Sequence, residues 1–279
     1  RLGSGIRLDR LLDTTLREGE QAPTVYFKPE EKCAIAEMLY EALGPKAYIE
    51  IGQPYSPMYR EGVEAVIRHF RERGISNARL LAHCRALKED VEVAWDCGSW
   101  GVVVFLAPSD KHLLYKLGMS YERALEQISS VIRYAKEEFG FECVQYTMED
   151  ATSLPVERAI EVAKVAESAG ADVIRLPDTK GQARPEQYAE IVGRVVEEVD
   201  TPVDVHCHND RGLAVANSIA GLAAGATGVH VSVMGLGERC GIADLATVVD
   251  NLESLYGLSL IHISEPTRPR LISYAVFCL

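Results

Sequence analysis

The sequence predicts an α/β protein of the (β/α)8 TIM-barrel class, and three observations carry the prediction. Short apolar runs alternate with helical patterns eight times, the count and size of such a barrel. The runs are continuously apolar, as in GVVVFL at Gly101–Leu106, which marks strands of a parallel sheet covered on both faces. Polar residues gather just beyond these runs, at the strand ends where barrels of this class carry their chemistry. A doubly wound open sheet is the alternative. No glycine-rich dinucleotide fingerprint follows the first run, which counts against it.

Taken in order, Arg7–Thr15 reads as a strand ending in DTTLREGEQ. Pro29–Leu43 has helical periodicity, with Pro29 suited to a first turn and Gly44 to the stop. Ala47–Ile51 is a strand leading into GQPYSP, and Met58–Arg73 a helix closed by Gly74. Asn77–Ala82 is apolar again and runs into His83-Cys84-Arg85, followed by a helix over Leu87–Cys97 and the strand Gly101–Leu106. Tyr121–Phe139 is helical, Glu142–Thr147 a strand, Val156–Ala169 a helix. Asp172–Leu176 is a strand ending in Pro177-Asp178-Thr179, and Pro185–Val199 a helix. Val203–His208 is the seventh strand, then a helix Leu213–Ala224, the strand Gly228–Val233 and a last helix Ile242–Leu255.

Composition bounds the function. A net charge of −12 and the lack of a basic run argue against nucleic acid. No run is long and apolar enough to span a bilayer, and no signal peptide is visible. Seven cysteines without CxxC pairs fit reduced thiols in a cytoplasmic protein.

The chemistry is expected at the strand ends. In VDVHCHND, His206 and His208 stand at i and i+2, so a strand points both imidazoles to one face and Cys207 to the other. An isolated HxH is more often two unrelated histidines. Here Glu18 follows the first strand on the same rim, and one carboxylate with two histidines leaves open positions for a substrate on a divalent metal. Arg17 beside it is permanently charged and forked, fit to hold a carboxylate or stabilise an oxyanion. Glu50, Arg85, Thr147, Glu149, Asp178 and Thr179 gather at the ends of other strands.

DTTLREGEQAP, YIEIG, EDAT, PDTKG, VHCHNDRGLAVANSIAGLAAGA and GLGERCG together resemble the catalytic barrel of the acyl-CoA Claisen-condensing family, over roughly Leu8 to Gly257. That family includes homocitrate synthase and 2-isopropylmalate synthase and is related to 3-hydroxy-3-methylglutaryl-CoA lyase. The resemblance implies an acyltransferase that condenses acetyl-CoA with a 2-oxo acid on a divalent ion (Zn, Mn or Mg) held by Glu18, His206 and His208. It implies Arg17 as the catalytic group at a developing oxyanion, with Gln21, Glu50, Arg85, Thr147 and Thr179 binding substrate. It also implies a homodimer in the full-length protein, with the general base in C-terminal segments beyond the barrel. A carbon–carbon lyase of the same superfamily and a non-catalytic keto-acid-binding barrel are the competing readings.

Departures from the family pattern leave the 2-oxo acid open. Met234 stands where isopropylmalate synthases carry Asn before GxGER, and LREGEQ with Glu tilts toward homocitrate synthases. Gln145 stands where a homocitrate synthase often has Arg, which removes a partner for a distal carboxylate. Cys240 in GERCG is read as structural, Cys33, Cys84, Cys97 and Cys143 as packing residues, Trp95 and Trp100 as core, and Glu238 with Arg239 as a loop brace. The barrel is expected over 1–257. Residues 258–279 break the periodicity, resemble read-through of a sequencing adaptor and are expected to be a non-native tail replacing missing C-terminal domains.

Overall fold

The computed structural model describes residues 5–76 and 78–258. Eight parallel strands close into one barrel in chain order: β1 (Arg10–Asp13), β2 (Tyr48–Gly52), β3 (Arg79–Arg85), β4 (Gly101–Leu106), β5 (Cys143–Met148), β6 (Val173–Asp178), β7 (Val203–Cys207) and β8 (Gly228–Val231). Closure is made by β1 against β8, with Arg10 beside Gly228 and Asp13 beside Val231. The expected tail lies outside the described residues apart from Leu258, which packs against the core.

Helices follow the strands as the alternation requires, and local chemistry sets their ends. Pro29 opens the helix Pro29–Leu43 and Gly44 closes it at φ 79°, a conformation costly for other residues. Ser120 caps Tyr121–Tyr134 by accepting from the Arg123 N–H at 3.2 Å, and Asp244 caps Leu245–Ser254 by accepting from the Thr247 N–H at 2.9 Å. The remaining barrel helices are Pro57–Glu72, Lys88–Asp96, Val156–Ser168, Pro185–Val196 and Ala214–Ala223. Among the described residues no helix is long and apolar enough to cross a membrane.

The differences from the sequence reading are local. The third strand runs on to Arg85, past the expected end at Ala82, so His83 belongs to the sheet. A short helix, Asp110–His112, and a π turn, Leu113–Leu117, precede Tyr121 where no element was expected. The last turn of the expected Tyr121–Phe139 helix widens to a π turn over Ala135–Phe139, ended by Gly140 at φ 66°. Trp95 is not core: it is 45% exposed and covers the rings of Phe139 and Phe141.

Alternation along each strand divides the side chains between two environments. Outward residues such as Val102, Val104, Val144 and Val205 pack under the helices in one large apolar layer. Inside the barrel, Leu12, Leu81, Val103 and Cys143 form a small apolar plug at the N-terminal end, flanked by Tyr48 and Trp100. A Cβ at Gly101 would lie 2.6 Å from the Cys143 carbonyl and 2.7 Å from Leu81, so that glycine makes room for the plug. Above the plug the interior turns polar.

Candidate metal centre at the barrel mouth

The loop after β1 carries the first components. Asp13 ends the strand and accepts both the N–H and the hydroxyl of Thr15, at 2.9 and 3.1 Å, which turns the chain over the barrel. Burial pushes the Asp13 carboxyl up to about 7, with the Glu50 charge adding to the effect. Lys32, buried in the helix Pro29–Leu43, pins the turn from behind. Its Nζ donates to the carbonyls of Leu16 (2.9 Å) and Ile51 (3.1 Å) and pairs with Glu20 at 2.7 Å.

Glu18 thereby lies 1% exposed beneath the mouth and faces the two histidines. Its Oε2 is 3.9 Å from His206 Nε2 and its Oε1 3.9 Å from His208 Nε2, while the two Nε2 atoms are 3.4 Å apart. One ligand atom from each of the three lies within 4.8 Å of the others, the one such cluster among the described residues. Two ligands each about 2.1 Å from a tetrahedral ion stand about 3.4 Å apart, so the spacing suits a shared cation after small rotations. The chemistry of the donors fits as well. Burial pushes the pKa of both histidines down, His206 strongly, and its neighbours His208 and His230 add to that, so the imidazoles stay neutral and keep a lone pair. Cys207 points the opposite way, into the helix layer. The Glu238 N–H donates to Glu18 Oε1 at 3.1 Å, and the Gln21 amide reaches both Glu18 oxygens at 3.1–3.2 Å.

Arg17 bonds to Glu18 through Nη1 and lies 3.0 Å from His83 Nε2 through Nη2, while its buried Nε has no partner in the protein. Glu50, on β2, accepts from Thr14 Oγ1 at 2.6 Å, pairs with His83 Nδ1 at 2.6 Å and accepts from Arg175 Nη1 at 3.2 Å. Burial opposes its charge, but Arg175, His83 and Arg17 together hold the Glu50 carboxyl well below the usual carboxylate range. The same burial, with Arg17 beside it, pushes His83 down to about 4.

The other expected substrate residues are placed differently. Thr147, on β5, has a buried hydroxyl with no partner. Thr179 is engaged in the loops, its hydroxyl accepting from the Asp150 N–H at 2.9 Å and its carbonyl from Arg239 at 2.6 Å. Arg85 sits on the rim with its side chain half exposed, forked onto Asp90 at 2.8 Å through both Nε and Nη2 and stacked on Tyr55. Arg239 also grips Asp210 and Glu238, bracing the loop after β8.

Sequence reasoning missed His83, Arg175, His230 and Asp204, all buried and inward-facing. Arg175 is beside Gln145 (Nε to Oε1, 2.6 Å), and its buried Nη2 has no partner in the protein. The available signal was a charged residue inside an otherwise apolar strand, VIRLPD for Arg175 and GVHV for His230.

Fold and site together define a (β/α)8 barrel whose C-terminal mouth carries a buried Glu/His/His cluster suited to a divalent cation. The chain belongs to the HMGL-like family, whose model matches residues 9–265. Homocitrate synthase AksA of Methanopyrus kandleri is 42% identical over 246 residues, 88% of this chain and 60% of that protein. The 2-isopropylmalate synthase of Methanocaldococcus jannaschii is 42% identical over 248 residues, 89% of this chain and 46% of that protein. The chain thus spans about half to two thirds of the curated relatives it matches. The structure of hydroxymethylglutaryl-CoA lyase from Pseudomonas aeruginosa superposes with a TM-score of 0.77 at 22% identity, covering 92% of this chain and 90% of that one, a likeness of fold.

Proposed function

We propose that this chain is the catalytic barrel of an acyltransferase that condenses acetyl-CoA with a 2-oxo acid, with a divalent ion held by Glu18, His206 and His208. The observation that carries the reading is the convergence of that cluster with Arg17 at the barrel mouth. Relatives named as synthases support it. A divalent ion there supplies Lewis-acid polarisation of a carbonyl. The chain's own residues do the rest. Glu18 and the two histidines are held in place before substrate arrives. Arg17, fixed between Glu18 and His83, keeps an unspent N–H for oxygen that gains negative charge as the new carbon–carbon bond forms. The Glu50–His83–Arg17 chain sets the height of that guanidinium.

Arg175 bears on the substrate class. The distal-carboxylate partner lost at Gln145 is made good from the adjacent strand, since Arg175 reaches past Gln145 with Nη2 unpaired, and Thr147 beside it in register has a free hydroxyl. A 2-oxo acid with a second carboxylate suits these groups better than a branched apolar one.

The test follows, in the full-length protein, coenzyme A release from acetyl-CoA with a panel of 2-oxo acids and added divalent ion, alongside calorimetric binding of each acid. Metal-dependent binding is expected, tightest for dicarboxylic 2-oxo acids, with coenzyme A released. Arg17→Ala should lower kcat by about 10²–10³ while metal content stays that of the parent. Cleavage of a hydroxyacyl-CoA without acetyl-CoA would establish the lyase reading instead, and acid binding with no reaction of either kind the sensor reading.

A further inference from the structure

The lower edge of the proposed metal site is tied to the far end of the barrel by a line of buried groups. His206 Nδ1, the ring nitrogen turned away from Glu18 and His208, lies 3.3 Å from Nδ1 of His230 on β8. His230 Nε2 lies 3.4 Å from Asp204 Oδ2, and Asp204 is two residues before His206 on the same face of β7. Asp204 Oδ1 in turn accepts from Arg10 Nε at 2.9 Å and Nη2 at 2.6 Å, and Arg10 Nη2 also donates to Thr227 Oγ1 at 2.6 Å. His230 is 1% exposed, Asp204 0% and Arg10 8%, so bulk water does not compete for these bonds. The fold makes room for the carboxylate on purpose: Gly228 is the register partner of Asp204, and a Cβ there would lie 2.0 Å from Oδ1.

With His230 neutral and Asp204 ionised, proton bookkeeping along this line has one solution. An ionised carboxylate only accepts, so His230 Nε2 carries its hydrogen. The neutral ring then presents a lone pair at Nδ1, and the bond to His206 requires the hydrogen on His206 Nδ1. His206 Nε2 is left as a lone pair directed at Glu18 and His208. His208 has no such backing, its Nδ1 being buried without a partner in the protein.

We propose that His230 and Asp204 are positioning residues that fix His206 in the tautomer and orientation whose Nε2 faces the metal position. The proposal rests on the metal reading of Glu18, His206 and His208. Ligating histidines commonly donate their second N–H to a carboxylate or carbonyl, and losing that partner weakens metal binding about 10–100-fold. Here the partner is a histidine, with the carboxylate one step further on.

The experiment titrates the 279-residue chain with Co²⁺, by calorimetry and by the visible absorption of the bound ion, for the parent, His230→Leu and His230→Gln. Leucine removes the acceptor, and Co²⁺ affinity should fall about tenfold or more with an altered spectrum. Glutamine accepts through Oε1 and donates through Nε2, so it should restore affinity and spectrum to near the parent's. Parent-like affinity and spectrum in a folded His230→Leu would overturn the proposal while leaving the metal reading intact. The histidine ring nitrogens of the ¹⁵N-labelled parent supply a second readout that needs no variant and no metal. His206 protonated at Nδ1 with His230 protonated at Nε2 supports the proposal, and either opposite tautomer defeats it. A parent that takes up no Co²⁺ sinks the metal reading separately, and the tautomers still decide this one.

Discussion

Leu12, Leu81, Val103 and Cys143 meet inside the N-terminal end of the barrel, while Glu18, Glu50, His83, Arg175 and three further histidines meet inside its C-terminal half, on inward strand positions and the loops that follow them. The lower group is closed: apolar surfaces touch, and Gly101 is trimmed to admit them. The upper group is not. Arg17 Nε, Thr147 Oγ1, Arg175 Nη2 and His208 Nδ1 are buried there without protein partners. A buried polar group without a partner costs about 1–3 kcal/mol, so four together are a sizeable debt in one small region. Such a debt is expected where a ligand, and not the fold, completes the hydrogen bonding. The plug is satisfied within the protein, and the mouth leaves donors and acceptors unspent.

The contrast can be broken by substitution at either end. In the plug, Leu81→Ala leaves a cavity under a fully buried side chain and should destabilise the fold by about 2–5 kcal/mol. Divalent-metal affinity of the folded variant should stay at the parent value. Denaturant unfolding paired with a metal titration checks both halves of that statement, and a coupled loss of metal affinity would mean that the two regions are not independent.

A smaller effect sharpens it through pH. Asp13 is raised from 3.8 to about 7 in the folded state, so the folded protein holds a proton that the unfolded chain has released. Its contribution makes stability fall as pH rises from about 4 to 7. His83 is lowered from 6.5 to about 4, so the unfolded chain binds the extra proton and stability rises over roughly pH 4–6.5. Each slope approaches about 1.4 kcal/mol per pH unit, and in the parent they offset one another. Asp13→Asn keeps an oxygen to accept from the Thr15 N–H and should expose the rising slope, whereas His83→Gln should expose the falling one. Thermal unfolding across pH 4–7 reads both, and parent-like profiles in the two variants would contradict the assignment.

How much of this was legible before the structure follows from the range of the interactions. The strand–helix alternation is local, and GVVVFL and Pro29–Leu43 were bounded to the residue because apolar runs, Pro and Gly are local signals. The HxH spacing and the LREGEQ loop are likewise short motifs, and their convergence needed only the inference of a closed barrel. Glu50 with Arg175 and Arg10 with Asp204 are separated by 125 and 194 residues, and no local pattern pairs them. His83 lies just past Ala82, where the apolar run stops, and only the longer strand carries the inward alternation on to it. Arg85 was read as a pocket residue, and only the fold brings Asp90 onto both of its donors. The short helix at Asp110–His112 has no periodicity long enough to announce it.

The most direct test of a metal-built mouth is the melting temperature of the parent, Glu18→Ala and His208→Ala with and without saturating Mn²⁺ or Zn²⁺. A ligand that binds only the folded state at about 100 times its Kd adds about 2.7 kcal/mol of stability. The parent should gain an upward shift of that order, and neither variant should gain one. An equal shift in all three proteins, or none in the parent, would contradict the account.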